Sequence, residues 1–136
     1  PDPLSTLKKV RSLLSNEGLL FIEVPNEASL ENKLFGKKSF LYEVPVHMYN
    51  FSPITLAKLV NQADFQIEKI TYPMGGGGWF GTLQRLLTRD AVYKSLRNNI
   101  LFLLIFGTII YPLEIILGWL KLGSNIRIVV KKQHER

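Results

Sequence analysis

Ile100 to Leu120, ILFLLIFGTIIYPLEIILGWL, restricts the fold more than any other segment: 21 residues with Glu114 as the single charge. As one helix it would run about 31 Å at 1.5 Å per residue, the thickness of a bilayer's hydrocarbon core. Directly after it, Ile126, Ile128 and Val130 alternate with Arg127 and Lys131, the period of a strand. Strand-like runs also precede it. A single crossing would put strands of one sheet on opposite sides of a membrane, and Pro112 and Glu114 would both sit in the hydrocarbon. Three arrangements remain: a crossing helix, a helical hairpin lying in a membrane surface and broken near Pro112, or a lid or dimer-forming helix pair that buries the same surface in protein.

Charge divides the chain in the same place. Residues 1–81 hold eight Lys/Arg and eight Asp/Glu, whereas residues 82–136 hold nine and three, so the whole net charge of +6 lies in the second part. Positive charge flanking apolar surface points to an anionic membrane, contacted through residues 82–121. No motif interleaves bases with exposed aromatics, so nucleic acid is not an expected partner. The sequence has no cysteine, which excludes disulfides and thiolate ligands. Its two histidines, His47 and His134, lack zinc spacing, so no metal site is expected. The location that fits is cytoplasmic, peripheral on the inner face of a membrane. A chain that opens Pro-Asp-Pro reads as part of something longer.

The first 72 residues carry α/β punctuation. Asp2-Pro3 caps a helix whose stripe is Leu4, Leu7, Val10, Leu13 and Leu14. LLFIEV, Leu19 to Val24, follows Gly18 and stops at Pro25, which suits a strand buried on both faces. Residues 26–51 lack a period, a long connection of the kind that carries function. Ser52-Pro53 starts a second helix with Leu56, Leu59, Val60 and Ala63 inside, and Phe65 to Tyr72 is the next strand. PMGGGGWFG then offers four consecutive glycines, but no Lys-Ser or Lys-Thr follows as a phosphate loop requires. A hinge into an amphipathic helix over Thr82 to Arg97 is the simpler reading. The expected division is 1–72 for an α/β core, 73–124 for a glycine-rich hinge and helical insertion, and 125–136 for a last strand and tail.

The order of these motifs resembles the C-terminal half of class I S-adenosylmethionine-dependent methyltransferases. PDPLSTLKKVRSLLSNEGLLFIEVPN is similar to the stretch after that family's fourth strand, with Asp2-Pro3, Leu14 to Gly18 and Val24-Pro25-Asn26 in the matching places. VHMYNFSPITLAKLVNQADF is similar to its next segment through His47, Phe51, Ser52, Ala63 and Phe65. Asp64 stands where that family usually has Gly, at a position that favours a left-handed conformation. The resemblance covers about residues 1–72 and implies a Rossmann-like sheet: two parallel strands plus an antiparallel last strand, Ile126 to Lys131, inserted between them. It also implies S-adenosylmethionine as cofactor. The family's glycine-rich first loop and ribose-binding acid lie upstream of the matched region, so no cofactor-binding residue is assigned within this chain.

The candidate site follows from that placement. Ligands in α/β sheets lie beyond the carboxyl ends of the strands, and the loop after Val24 leaves from there. His47 is the candidate catalytic base for an acceptor that loses a proton, since imidazole titrates near neutrality. Asn26 and Tyr49 are candidate substrate contacts, and Glu43 is a weaker base. Each has a plain alternative: His47 as a loop pin, Asn26 as a turn former, Glu43 as a solvated loop carboxylate. The implied function is the C-terminal portion of a methyltransferase acting on an unknown acceptor, one that is hydrophobic or lipid-linked if the apolar segment bears on it. The alternative is a non-catalytic membrane-associated or interaction module that keeps a methyltransferase-like remnant; a homodimer is open under either.

Overall fold

The computed structural model of the chain describes residues 2–42, 47–74, 77–87 and 100–133. Three strands form one sheet, β1 (Leu19–Pro25), β2 (Phe65–Thr71) and β3 (Asn125–Lys132), in the order β1-β3-β2. Both ladders are antiparallel. Leu19 faces Lys131 and Val24 faces Ile126 in one; Phe65 faces Lys132 and Thr71 faces Arg127 in the other. β1 and β2 therefore point the same way without touching. The fold is α/β with the last strand between the two earlier ones, but the expectation of a Rossmann-like parallel pairing is not met. β3 occupies the hydrogen-bonding edges through which β1 and β2 would have joined.

The core explains why β3 is central. Ile126, Ile128 and Val130 are fully buried on one face, against Leu56, Val60, Ala63 and Phe65. Leu20, Ile22 and Val24 add the β1 side. Two helices cover this face. Helix α1 (Pro3–Leu13) is capped by Asp2, whose carboxylate accepts from the Ser5 N–H at 2.8 Å, and it brings in Leu4 and Leu7. Helix α3 (Pro53–Gln62) begins with a reciprocal capping box between Ser52 and Thr55. It ends at Asp64, whose φ of 58° is the left-handed turn anticipated at that position.

On the other face of the sheet the β1 side chains are exposed. Here the reading of Leu19–Val24 as buried on both sides fails: Leu19, Phe21 and Glu23 are exposed, and Phe21 stands directly beside Val129. Among the described residues the helices cover one side, so LLFIEV is half-buried despite its unbroken apolarity. Ion pairs flank the Phe21–Val129 strip: Arg127 with Glu23 at 2.7 Å and Lys131 with Glu68 at 2.8 Å. The shift in register between Ile67 and Lys69 leaves Glu68 as the extra residue of a bulge, which returns Ile70 to the side of Ile128.

The two irregular excursions fold together. Residues 26–51, which show no period, contain helix α2 (Leu30–Phe35) and two short 3-10 turns at Gly36–Lys38 and Phe40–Tyr42. The ends of the excursion are joined by the Glu27 N–H donating to the Phe51 carbonyl at 2.9 Å. Helix α4 (Gly77–Leu87) packs on this segment. It starts earlier than the Thr82 read from the sequence, and residues 88–99 lie outside the described part. Gly77 and Gly78 belong to the helix rather than to a hinge; Gly75 and Gly76 lie outside the described residues. A Cβ on Gly78 would collide with the Glu31 carboxylate, and one on Gly81 with the Phe40 ring. Gly78 and Gly81 thus serve close approach of the helix to α2 and the Phe40 turn.

The apolar segment forms one continuous helix, α5 (Ile100–Trp119), with Pro112 inside it. The hairpin broken near Pro112 is therefore corrected: proline removes one donor from the helix without ending it. The helix stops in a Schellman turn. The Leu122 N–H donates to the Leu117 carbonyl at 2.7 Å and the Lys121 N–H to the Gly118 carbonyl at 3.1 Å. Lys121 takes the left-handed position, with φ 61°. Among the described residues no helix is long and apolar enough to cross a membrane. In α5 the last turns are committed to the domain, since Glu114 and Leu117 are buried. Ile100 to Leu113 would extend about 21 Å, short of the roughly 30 Å that a span needs.

Candidate functional site: a cleft at the carboxyl end of β1

β1 delivers its chain end into a cleft of about 500 Å³. Val24, Pro25 and Asn26 form one wall, Phe40, Leu41 and His47 another, and Glu31, Gly78 and Ser124 the floor. The structure thus brings His47 and Asn26, distant in sequence from Gly78 and Ser124, to a single opening. His47 is half-buried and meets the Phe40 ring edge-on, with centroids 5.8 Å apart and planes at 74°. His47 also borders a second, more apolar cleft of about 490 Å³ between α1, β1 and α3, where Tyr49 lines the wall with Met48 and Phe51. His47 and Tyr49 therefore share the second cleft, and His47 and Asn26 the first. Tyr49 is 47% exposed.

Asn26 is fully buried and already engaged. Its Nδ2 donates to the Gly123 carbonyl at 2.8 Å and its Oδ1 accepts from the Ala28 N–H at 2.9 Å. It fixes the turn after β1 to the turn before β3, so the cleft's rim is held at both ends. Glu43 lies outside the described residues.

The floor is a buried polar network that the sequence reading missed. Glu31 accepts from Ser39 Oγ at 3.0 Å and from Thr82 Oγ1, and lies 3.2 Å from Ser124 Oγ. Glu114 accepts from Trp79 Nε1 at 2.6 Å and lies 2.7 Å from the same Ser124 hydroxyl. Ser124 so links a carboxylate from α2 to one from α5. Burying a carboxylate costs heavily unless hydrogen bonds replace its water, and here hydroxyl and indole donors do so. Thr82 also accepts from the Phe40 N–H at 2.7 Å, tying α4 to the cleft wall. One signal was visible beforehand: a lone Glu in a long apolar run needs a partner. The others were not, because Ser39, Thr82 and Ser124 are ordinary residues whose convergence depends on the tertiary fold.

A third cleft of about 410 Å³ lies where α5 meets the end of β2, lined by Tyr72, Met74, Gly118 and Trp119. Burial raises the Tyr72 phenol above its ordinary value of 10.0. The Tyr72 carbonyl also explains Gly118, where a Cβ would come within 2.8 Å of that oxygen.

Gly78 is packed against the Glu31 carboxylate and Gly81 against the Phe40 ring, and three hydroxyls surround the Glu31 carboxylate. No group of three metal-ligating side chains converges among the described residues. In sequence, the chain matches no family model and no curated protein.

Proposed function

We propose that this chain supplies the acceptor-side part of an S-adenosylmethionine-dependent methyltransferase, with the cofactor held by residues outside those described. One observation carries the reading: the last strand lies antiparallel between two strands that run the same way, and a cleft bearing His47 opens at the carboxyl end of β1. The finer fold, a Rossmann-like sheet in which β1 is continued by further parallel strands, belongs to this proposal. The exposed Phe21 face and the outer edge of β1 suit such a continuation, since an uncovered edge and apolar face are poor surfaces to leave in water. In this reading His47 takes a proton from the acceptor, while Asn26 holds the rim and Tyr49 borders the entrance. The wall chemistry around His47 and Phe40 favours an acceptor with an apolar body and a polar, proton-bearing tip.

Binding of S-adenosylmethionine tests this without knowledge of the acceptor. Calorimetric titration of residues 1–136 should show no saturable binding, whereas the complete gene product that contains them should bind. Binding by the short chain, or by neither, would overturn the reading. The second reading, a non-catalytic interaction module, draws on the exposed apolar surface of α5, and it is the outcome left standing if neither chain binds.

A further inference from the structure

The C-terminal part of the chain presents an exposed apolar surface. Along α5, Ile100, Leu104, Tyr111, Ile115 and Trp119 are exposed, and Ile109, Ile116 and Leu120 continue the surface round the helix. At 100° per residue these positions sweep an arc of roughly half the helix circumference. Glu114 and Leu117, which face the domain, lie on the remaining side. Trp119 is 80% exposed, an extreme value for a tryptophan. The arc is not free to turn inward. The Glu114 bonds to Trp79 and Ser124 lock the rotation of the helix, and Gly118 seats its backbone on the Tyr72 carbonyl.

We infer that this arc lies in the headgroup region of an anionic bilayer. Charge selects that partner over a second copy of the chain. All of the net charge of +6 falls in the sequence from Thr82 onward, and exposed Lys121 ends the helix beside Trp119. Two copies meeting through the end of this helix would bring their Lys121 ammonium groups together, whereas an anionic surface neutralises them. Tryptophan, tyrosine and lysine are also the side chains that favour the membrane–water interface. The geometry fits a helix in the surface plane: its last turns belong to the domain, and β3 follows at once, returning the chain to the sheet on the same side. This inference does not rest on methyl transfer and stands or falls separately.

Flotation of residues 1–136 with vesicles tests it. The protein should float with phosphatidylcholine–phosphatidylglycerol vesicles at low salt, and much less with phosphatidylcholine alone. High salt should reduce the partition coefficient about tenfold or more without abolishing it, because screening removes the charge share and leaves apolar burial. Trp119 emission should shift to the blue on binding. Ile109→Glu and Ile116→Glu alter exposed positions and should keep the circular dichroism of the parent while lowering partition about tenfold or more each. Lys121→Gln should lower it about fivefold. Three results would overturn the inference: no flotation under any condition, partition unaffected by the Glu variants, or a dimer in sedimentation that Ile116→Glu dissociates while no vesicle binds.

Discussion

Replacing Glu114 by leucine isolates the contribution of the network that holds α5 on the domain. The fully buried carboxylate accepts from half-buried Trp79 Nε1 at 2.6 Å and from Ser124 Oγ at 2.7 Å. Leucine has similar bulk and no acceptor, so the indole N–H and the hydroxyl lose their partner. An unsatisfied buried donor costs about 1–3 kcal/mol. Ser124 retains Glu31 at 3.2 Å as an alternative acceptor, so only Trp79 loses its bond outright. The expected loss is about 2–3 kcal/mol. Glutamine separates shape from charge. Its amide oxygen can accept the same bonds, weaker without charge assistance, while removal of a negative charge next to Glu31 acts the other way. Glu114→Gln should therefore lie within about 1 kcal/mol of the parent. Urea denaturation read by Trp79 fluorescence in a Trp119→Phe background measures both, and α5 docking can be followed by amide exchange at Leu117. Equal stability of the leucine variant and the parent would refute the claim that Glu114 anchors the helix.

Other substitutions test single points. Lys121→Gly should raise stability by about 1 kcal/mol in thermal unfolding, because φ 61° strains any side chain with a Cβ. Gly78→Ala should destabilise by about 1–3 kcal/mol through overpacking against Glu31, and Glu31→Gln would not rescue it, since the overlap is steric. The Asp2 carboxyl is held below its ordinary value of 3.8, chiefly by the bond from the Ser5 N–H. A depressed carboxyl stabilises the fold above its unfolded value, so the α1 cap weakens as pH falls below 3.8, and Asp2→Asn should flatten that acid limb in a pH series of melting temperatures.

How far the sequence could be read depended on whether a signal was local. Asp2-Pro3 and Ser52-Pro53 announced both capped helices, since a cap and its proline act within four residues. Asp64 marked its left-handed turn for the same reason. The position of β3 came through the resemblance, and the structure places that strand between β1 and β2. Leu19 to Val24 misled, because an apolar run reports what a strand tolerates and not how many faces the helices cover. Gly78 and Gly81 misled in the opposite sense: a hinge reading meets positions where the lack of a Cβ lets Glu31 and Phe40 approach. At the site, His47 and Asn26 line one cleft at the end of β1, yet the engagement of Asn26 with Gly123 could not be read, being a contact across 97 residues. The Glu31–Ser124–Glu114 floor was hidden for the same reason.

Transfer of a labelled methyl group tests the central claim most directly. The complete gene product that contains residues 1–136 would be incubated with methyl-tritiated S-adenosylmethionine and fractionated small-molecule and lipid acceptors. The account predicts label in an acceptor fraction, and a turnover about 10²–10⁴-fold lower for His47→Ala at an unchanged melting temperature. Tight cofactor binding with no transfer to any fraction, or a His47→Ala variant whose activity falls only in step with its folded fraction, would contradict it.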